Sequence, residues 1–79
     1  MRITVKLFGT LGSHYQGYRH THGIELSTDS NIRVKHLLSL LELPVKQIGI
    51  VTINGKLAKA EDIIPDTAEV KVFQHLAGG

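Results

Sequence analysis

Ser27-Thr28-Asp29-Ser30-Asn31-Ile32-Arg33-Val34-Lys35-His36-Leu37-Leu38-Ser39-Leu40-Leu41-Glu42-Leu43-Pro44 contains the helical signal on which the fold turns. Val34, Leu37, Leu38 and Leu41 stand at i, i+3, i+4 and i+7, which is one apolar stripe. Ahead of that stripe, residues 27–31 carry side chains able to accept hydrogen bonds from the free amides of a first helical turn. Behind it, Pro44 disfavours helical geometry at Leu43 and has no N–H of its own. The spacing therefore predicts one helix ending near Glu42, about ten residues long, enough to lay a row of leucines across a sheet.

Toward the N-terminus, Ile3, Val5 and Leu7 alternate with Arg2, Thr4, Lys6 and Phe8, the period of a strand with one buried face. A second alternation from His22 to Ser27, with Ile24 and Leu26 on one face, predicts a short strand antiparallel to the first. Between them, the glycine-rich stretch from Gly9 to Gly23 reads as a long surface loop. Toward the C-terminus, Ile48 to Ile53 is rich in β-branched residues and runs into Asn54-Gly55, a two-residue hairpin signal, with Lys56-Leu57-Ala58 returning. Glu61 to Thr67 reads as a turn or brief helical bend, and Val70 to Phe73 as the last strand.

The order β-β-α-β-β-β, with one helix covering one face of a mixed sheet, is a two-layer α+β domain. A hairpin of the first two strands followed by a crossover through the helix gives the β-grasp arrangement, with the first and last strands parallel and adjacent at the centre. The expected domain is 1–73, and 74–79 is expected to be a flexible arm.

Seventy-nine residues make one thin core, too small to enclose a large cofactor or a deep catalytic pocket. Without cysteine there is no disulfide, thiolate nucleophile or cysteine zinc site. The alternating N-terminus is unlike a signal peptide or a membrane span, so the expectation is a soluble cytoplasmic protein. The formal charge of +2 is spread among interleaved acids rather than clustered, which points away from nucleic acid.

By the period of two, Phe8 and Phe73 face away from the helix and toward solvent together, with Leu57 joining them in an apolar patch of the kind that marks protein contacts. The alternative is that one ring folds over a sheet edge to finish the core. Beyond Phe73, six residues reach roughly 20 Å. They end on Leu76-Ala77-Gly78-Gly79, and two residues without Cβ can enter a channel too narrow for side chains. A carboxylate delivered in this way is a poor electrophile until it is activated, for example as an acyl-adenylate.

The element order, Val51-Thr52-Ile53-Asn54-Gly55-Lys56, Asp66-Thr67-Ala68-Glu69-Val70 and the terminal Leu76-Ala77-Gly78-Gly79 together resemble the ubiquitin-like sulfur-carrier family, which includes the thiamine-pathway carrier and the small subunit of molybdopterin synthase. The resemblance implies that a ubiquitin-activating-like enzyme uses ATP to adenylate Gly79. A persulfide donor then makes the thiocarboxylate, and the sulfur passes to an acceptor such as a molybdopterin synthase large subunit or a thiazole synthase. It implies a carrier with no catalytic residues or bound cofactor of its own, monomeric when free, with Phe8, Leu57, Phe73 and Leu76 meeting partners and Gly78 preceding the modified Gly79. Many molybdopterin-type members carry two prolines where this chain has Gln74 and His75, so the resemblance does not name the acceptor. A ubiquitin-like modifier joined through Gly79 to lysines is the alternative; a noncovalent binding module on the same fold is a third reading.

His14, His20 and His22 lie close enough in the loop to suggest a metal site, but no acid accompanies them, and solvated histidines are the expectation. Gly9-Thr10-Leu11-Gly12 is too short to cradle a phosphate and lacks a following Lys-Ser or Lys-Thr. No nucleophile–base spacing and no catalytic carboxylate pair is present.

Overall fold

The computed structural model describes residues 1–29 and 31–75. The strands are β1 (Arg2–Leu7), β2 (Ile24–Ser27), β3 (Ile48–Ile53), β4 (Lys56–Ala58) and β5 (Ala68–Gln74), with one helix, α1 (Val34–Leu40). They form a sheet of order β2-β1-β5-β3-β4. β1 and β5 run parallel at its centre, Val5 opposite Val70 and Leu7 opposite Val72, while β1–β2, β3–β5 and β3–β4 are antiparallel. This is the β-grasp arrangement that the element order predicts.

The alternating residues do what their period requires. Ile3, Val5, Leu7, Val51, Ala68, Val70 and Val72 are buried against Val34, Leu37 and Leu41, and apolar area removed from water on both layers is the main stabilising term. Asn54 and Gly55 adopt φ of 50° and 85°, the paired left-handed conformations of a tight hairpin turn.

The helix departs from expectation at its start. It begins at Val34, with Arg33 as the preceding residue and no side-chain cap. Its first amides are satisfied by another part of the chain: Val34 N–H donates to Asp62 O at 3.0 Å and Lys35 N–H to Ala60 O at 3.0 Å. The connection between β4 and β5, expected as a turn or helical bend, is thus a capping loop. It bridges Arg33 to Ile63 and plants Ile64 fully inside the core. The far end closes as predicted near Glu42, and the reason is more specific than Pro44 alone. Glu42 takes φ 54°, its N–H donates to Ser39 O and the Leu43 N–H to Leu38 O, the paired closure that ends helices on a left-handed residue.

The stretch after β1 also differs from the surface loop expected of it. Gly9–His14 forms a 3₁₀ turn, and Leu11 within it is 0% exposed. Tyr15 and Tyr18 pack on the same core from outside. This β1–β2 strap is therefore a structural element. At the other end of the chain, Gln74 belongs to β5 and the His75 N–H donates to Gln47 O at 2.6 Å. The boundary expected at Phe73 moves outward accordingly, and Leu76, Ala77, Gly78 and Gly79 lie outside the described residues.

Candidate functional site

The solvent face of the sheet can be read from its register. Phe8 follows Leu7 directly, and its N–H continues the ladder to Val72 O at 2.9 Å, so its side chain points away from α1. Phe73 points the same way from β5. The two rings lie stacked, centroids 4.6 Å apart and planes 16° from parallel, and both are half-buried. The rings cover each other on the outer face, so the alternative in which one of them completes the core is not what the chain adopts.

Ile50 is paired with Phe73 across β3–β5 and is 51% exposed, so it extends the row Phe8–Phe73–Ile50. Sequence reading missed Ile50: its β-branched run marks a strand, but that this strand lies beside β5 with Ile50 opposite Phe73 is decided by the sheet order. In the neighbouring row, Lys6 is paired with Lys71, Lys71 with Thr52 and Thr52 with Leu57. Leu57 is 77% exposed and sits diagonally from Ile50. It reaches the phenylalanines only by way of Ile50, two strands from Phe73, rather than joining them directly.

The strap supplies a third ring. His20 packs edge-to-face on Phe8 with centroids 4.8 Å apart, and its Nδ1 lies 3.1 Å from the Tyr18 hydroxyl. The expectation of a free solvated loop histidine is corrected at this residue. His22 turns instead to Thr21, Nδ1 to Oγ1 at 3.0 Å, and the side chain of His14 is outside the description. Among the described residues, no three histidine, aspartate or glutamate side chains gather as they would around a metal ion.

The 3₁₀ turn is fastened to β5 beside this face. Gln74 Oε1 accepts the Thr10 N–H at 2.7 Å, and a Cβ on Gly9 would collide with that same oxygen and with the Gln74 Cβ. With φ at +75°, only glycine lets the chain turn there and lie under the glutamine. β3 carries an irregularity between Ile48 and Ile50, where Gly49, Ile50, Phe73, Gln74 and His75 border a shallow depression. His75 is thus the last described residue, at the aromatic end of the sheet. Leu76, Gly78 and Gly79, expected as contact and modification positions, are outside the described residues.

On the opposite layer, Lys35, Leu38, Ser39, Glu42, Leu43 and Val45 line an open apolar groove beside α1. Lys35 in its wall is already paired with Glu61 at 2.7 Å. That hydrogen bond, followed by the lysine's charge, holds the Glu61 carboxyl below its ordinary value. Asp66 is lowered too, chiefly by the Arg2 N–H that it accepts at 2.9 Å. Both shifts belong to structural contacts far from the aromatic row. Among the described residues, no helix is long and apolar enough to cross a membrane.

No family model matches the sequence, and no curated protein does. Among solved structures, SAMP1 from Haloferax volcanii matches 100% of this chain with 100% of its own, at a TM-score of 0.71 and 18% sequence identity. At that identity the likeness establishes the fold, a ubiquitin-like β-grasp domain over its whole length.

Proposed function

We propose that the chain is a sulfur carrier, a protein substrate that docks by its outer sheet face and presents the Gly79 carboxylate to a partner's catalytic centre. The observation that carries this reading is the apolar row of Phe8, Phe73 and Ile50 at the end of β5, with Leu76-Ala77-Gly78-Gly79 following in sequence after Gln74 and His75. With the His75 N–H bonded to Gln47 O, Leu76 to Gly79 can reach at most ~14 Å beyond it. Docking and delivery are therefore coupled, because a partner holding the aromatic row also holds the origin of the arm.

The chemistry follows from the carboxylate. Attack of a Gly79 oxygen on the α-phosphorus of ATP releases pyrophosphate and leaves an acyl-adenylate; the terminal sulfur of a persulfide donor then displaces AMP to give an acyl disulfide, and a second thiol attacks the donor's inner sulfur, forming a disulfide with it and releasing the thiocarboxylate. The chain supplies the acyl group and the docking face; the adenylating enzyme supplies catalysis, and a biosynthetic enzyme such as a molybdopterin synthase large subunit or a thiazole synthase accepts the sulfur. A cytoplasmic setting, where ATP and reduced sulfur are available, suits this role.

A second reading is favoured by the whole-length likeness to SAMP1, a ubiquitin-like small archaeal modifier protein. In it the same adenylate is attacked by lysine amines of target proteins. Mass spectrometry of the protein from its native cells separates the two: replacement of one oxygen by sulfur adds ~16 Da, whereas conjugation leaves Gly79 in isopeptide bonds on other proteins. An alanine appended after Gly79 is expected to abolish pyrophosphate exchange in either case, since the carboxylate moves ~3.5 Å past its productive place. Undiminished exchange by the extended chain would refute both.

A further inference from the structure

We infer that His20, on the β1–β2 strap, is the positioning residue of the docking face, locking Phe8 flat on Phe73 through a relay from the β1 backbone by way of Tyr18. The inference rests on the docking reading above.

β2 pairs with β1 only from Arg2 to Val5, so the last residues of β1 have no strand beside them on that side. The Leu7 N–H and C=O, which point there, would otherwise be left unpaired at a core position. Tyr18 takes the place of the missing strand: the Leu7 N–H donates to its hydroxyl at 2.8 Å, and the hydroxyl stands 3.2 Å from Leu7 O. A phenol has one proton to give and two lone pairs to receive with. All three contacts are satisfied together when the Tyr18 hydroxyl donates to Leu7 O and His20 donates its Nδ1–H to the Tyr18 hydroxyl oxygen, 3.1 Å away. The strap is thereby tied to the end of β1 at a single atom.

Tyr18 and His20 are two residues apart, and the tie sets the imidazole against Phe8 at 4.8 Å with ring planes 83° apart. Edge-to-face packing on one side and the stack on Phe73 at 4.6 Å on the other leave the Phe8 ring bounded on two sides. Without His20 the ring has no neighbouring strand to limit its rotation, because β2 stops short of it. His20 is itself exposed, so a partner seated on the aromatic row meets it as well. The face is then one row that starts on the strap and crosses the sheet as His20, Phe8, Phe73 and Ile50.

The test compares His20→Ala, His20→Asn and His20→Phe in the full-length chain, by two readouts. The first is the set of proton–proton contacts between the Phe8 and Phe73 rings, observed by NMR. The second is the KM for the carrier in ATP–pyrophosphate exchange, using carrier-dependent adenylating activity fractionated from the native cells. His20→Ala should weaken the ring contacts and raise KM by about three- to tenfold, the value of one aromatic pair, with kcat unchanged and the fold still cooperative. His20→Asn keeps an amide donor for Tyr18 but no ring and should behave like alanine. His20→Phe keeps the ring edge but gives Tyr18 no donor, so it should recover the ring contacts only in part and leave KM above that of the wild type; full rescue of both readouts by His20→Phe would overturn the relay. Unchanged ring contacts in His20→Ala, or loosened rings with an unchanged KM, overturn the inference while leaving the carrier reading intact. Wild-type protein that supports no exchange overturns both.

Discussion

Single residues decide where this chain turns, and three of them do so against their own preferences or by an unusual route. Glu42 ends the helix at φ 54°, a conformation that costs a residue with a Cβ on the order of 1–2 kcal/mol and that glycine adopts freely. Some of that gain is offset by the greater freedom of glycine in the unfolded chain. Glu42→Gly should therefore stabilise the domain by about 1 kcal/mol, raising Tm by ~4–8 °C in a chain of this size; an unchanged or lower Tm in a thermal melt would contradict it. Tyr18 replaces a strand with one hydroxyl, and Gly9 makes room for Gln74. A sequence shows that Gly9 and Tyr18 exist, but their partners stand 65 and 11 positions away, and no local pattern links them.

At the level of elements, the strands were legible, whereas the strap between β1 and β2 and the connection from β4 to β5 were not. Period-two alternation reports directly on which face is buried, and β-branched density ending on Asn54-Gly55 marks a hairpin, so β1 and β5 by the first signal and β3 and β4 by the second fall within a residue or two of expectation. The strap carries no such period. Its glycines and polar residues speak for a loop, and Leu11 is one apolar residue among them. Its complete burial gives a sharp test: Leu11→Ala should cost about 2–5 kcal/mol by denaturant unfolding, as a truncated core leucine does. A surface position would change by less than ~0.5 kcal/mol. The start of α1 teaches the same lesson in reverse. Residues 27–31 look like a cap, yet the carbonyls of Ala60 and Asp62 satisfy the first amides, because the connection into β5 crosses the end of the helix. Of the aromatic row, Phe8 and Phe73 were legible from parity; Ile50 and His20 depend on which strands become neighbours and on how the strap folds back.

Taken as a whole, the molecule is closed by contacts between segments far apart in sequence, and two of these contacts titrate. Asp66 accepts the Arg2 N–H at the start of β1 and Glu61 binds Lys35 on α1; both carboxyls are lowered from their ordinary values of 3.8 and 4.5. A carboxyl with a lowered folded-state pKa contributes stability that is present above the ordinary value and is lost as pH falls through the lowered one. Tm should therefore hold above about pH 5 and decline below about pH 4. Asp66→Asn, which keeps an acceptor for Arg2 but does not titrate, should flatten part of that decline, and melts at pH 7 and pH 3 showing an identical acid loss would contradict the assignment. Both groups are exposed, so the effect is modest. The sequence by itself determined the strand periods, the single helical stripe, the Asn54-Gly55 hairpin and hence the β-grasp order, because each is written in the spacing of neighbouring residues. Only the tertiary structure decided what caps the helix, which side chain completes β1, how far β5 runs, and that a loop histidine belongs to the aromatic row. These are contacts between distant segments, and their free energy exists only after the chain has brought them together.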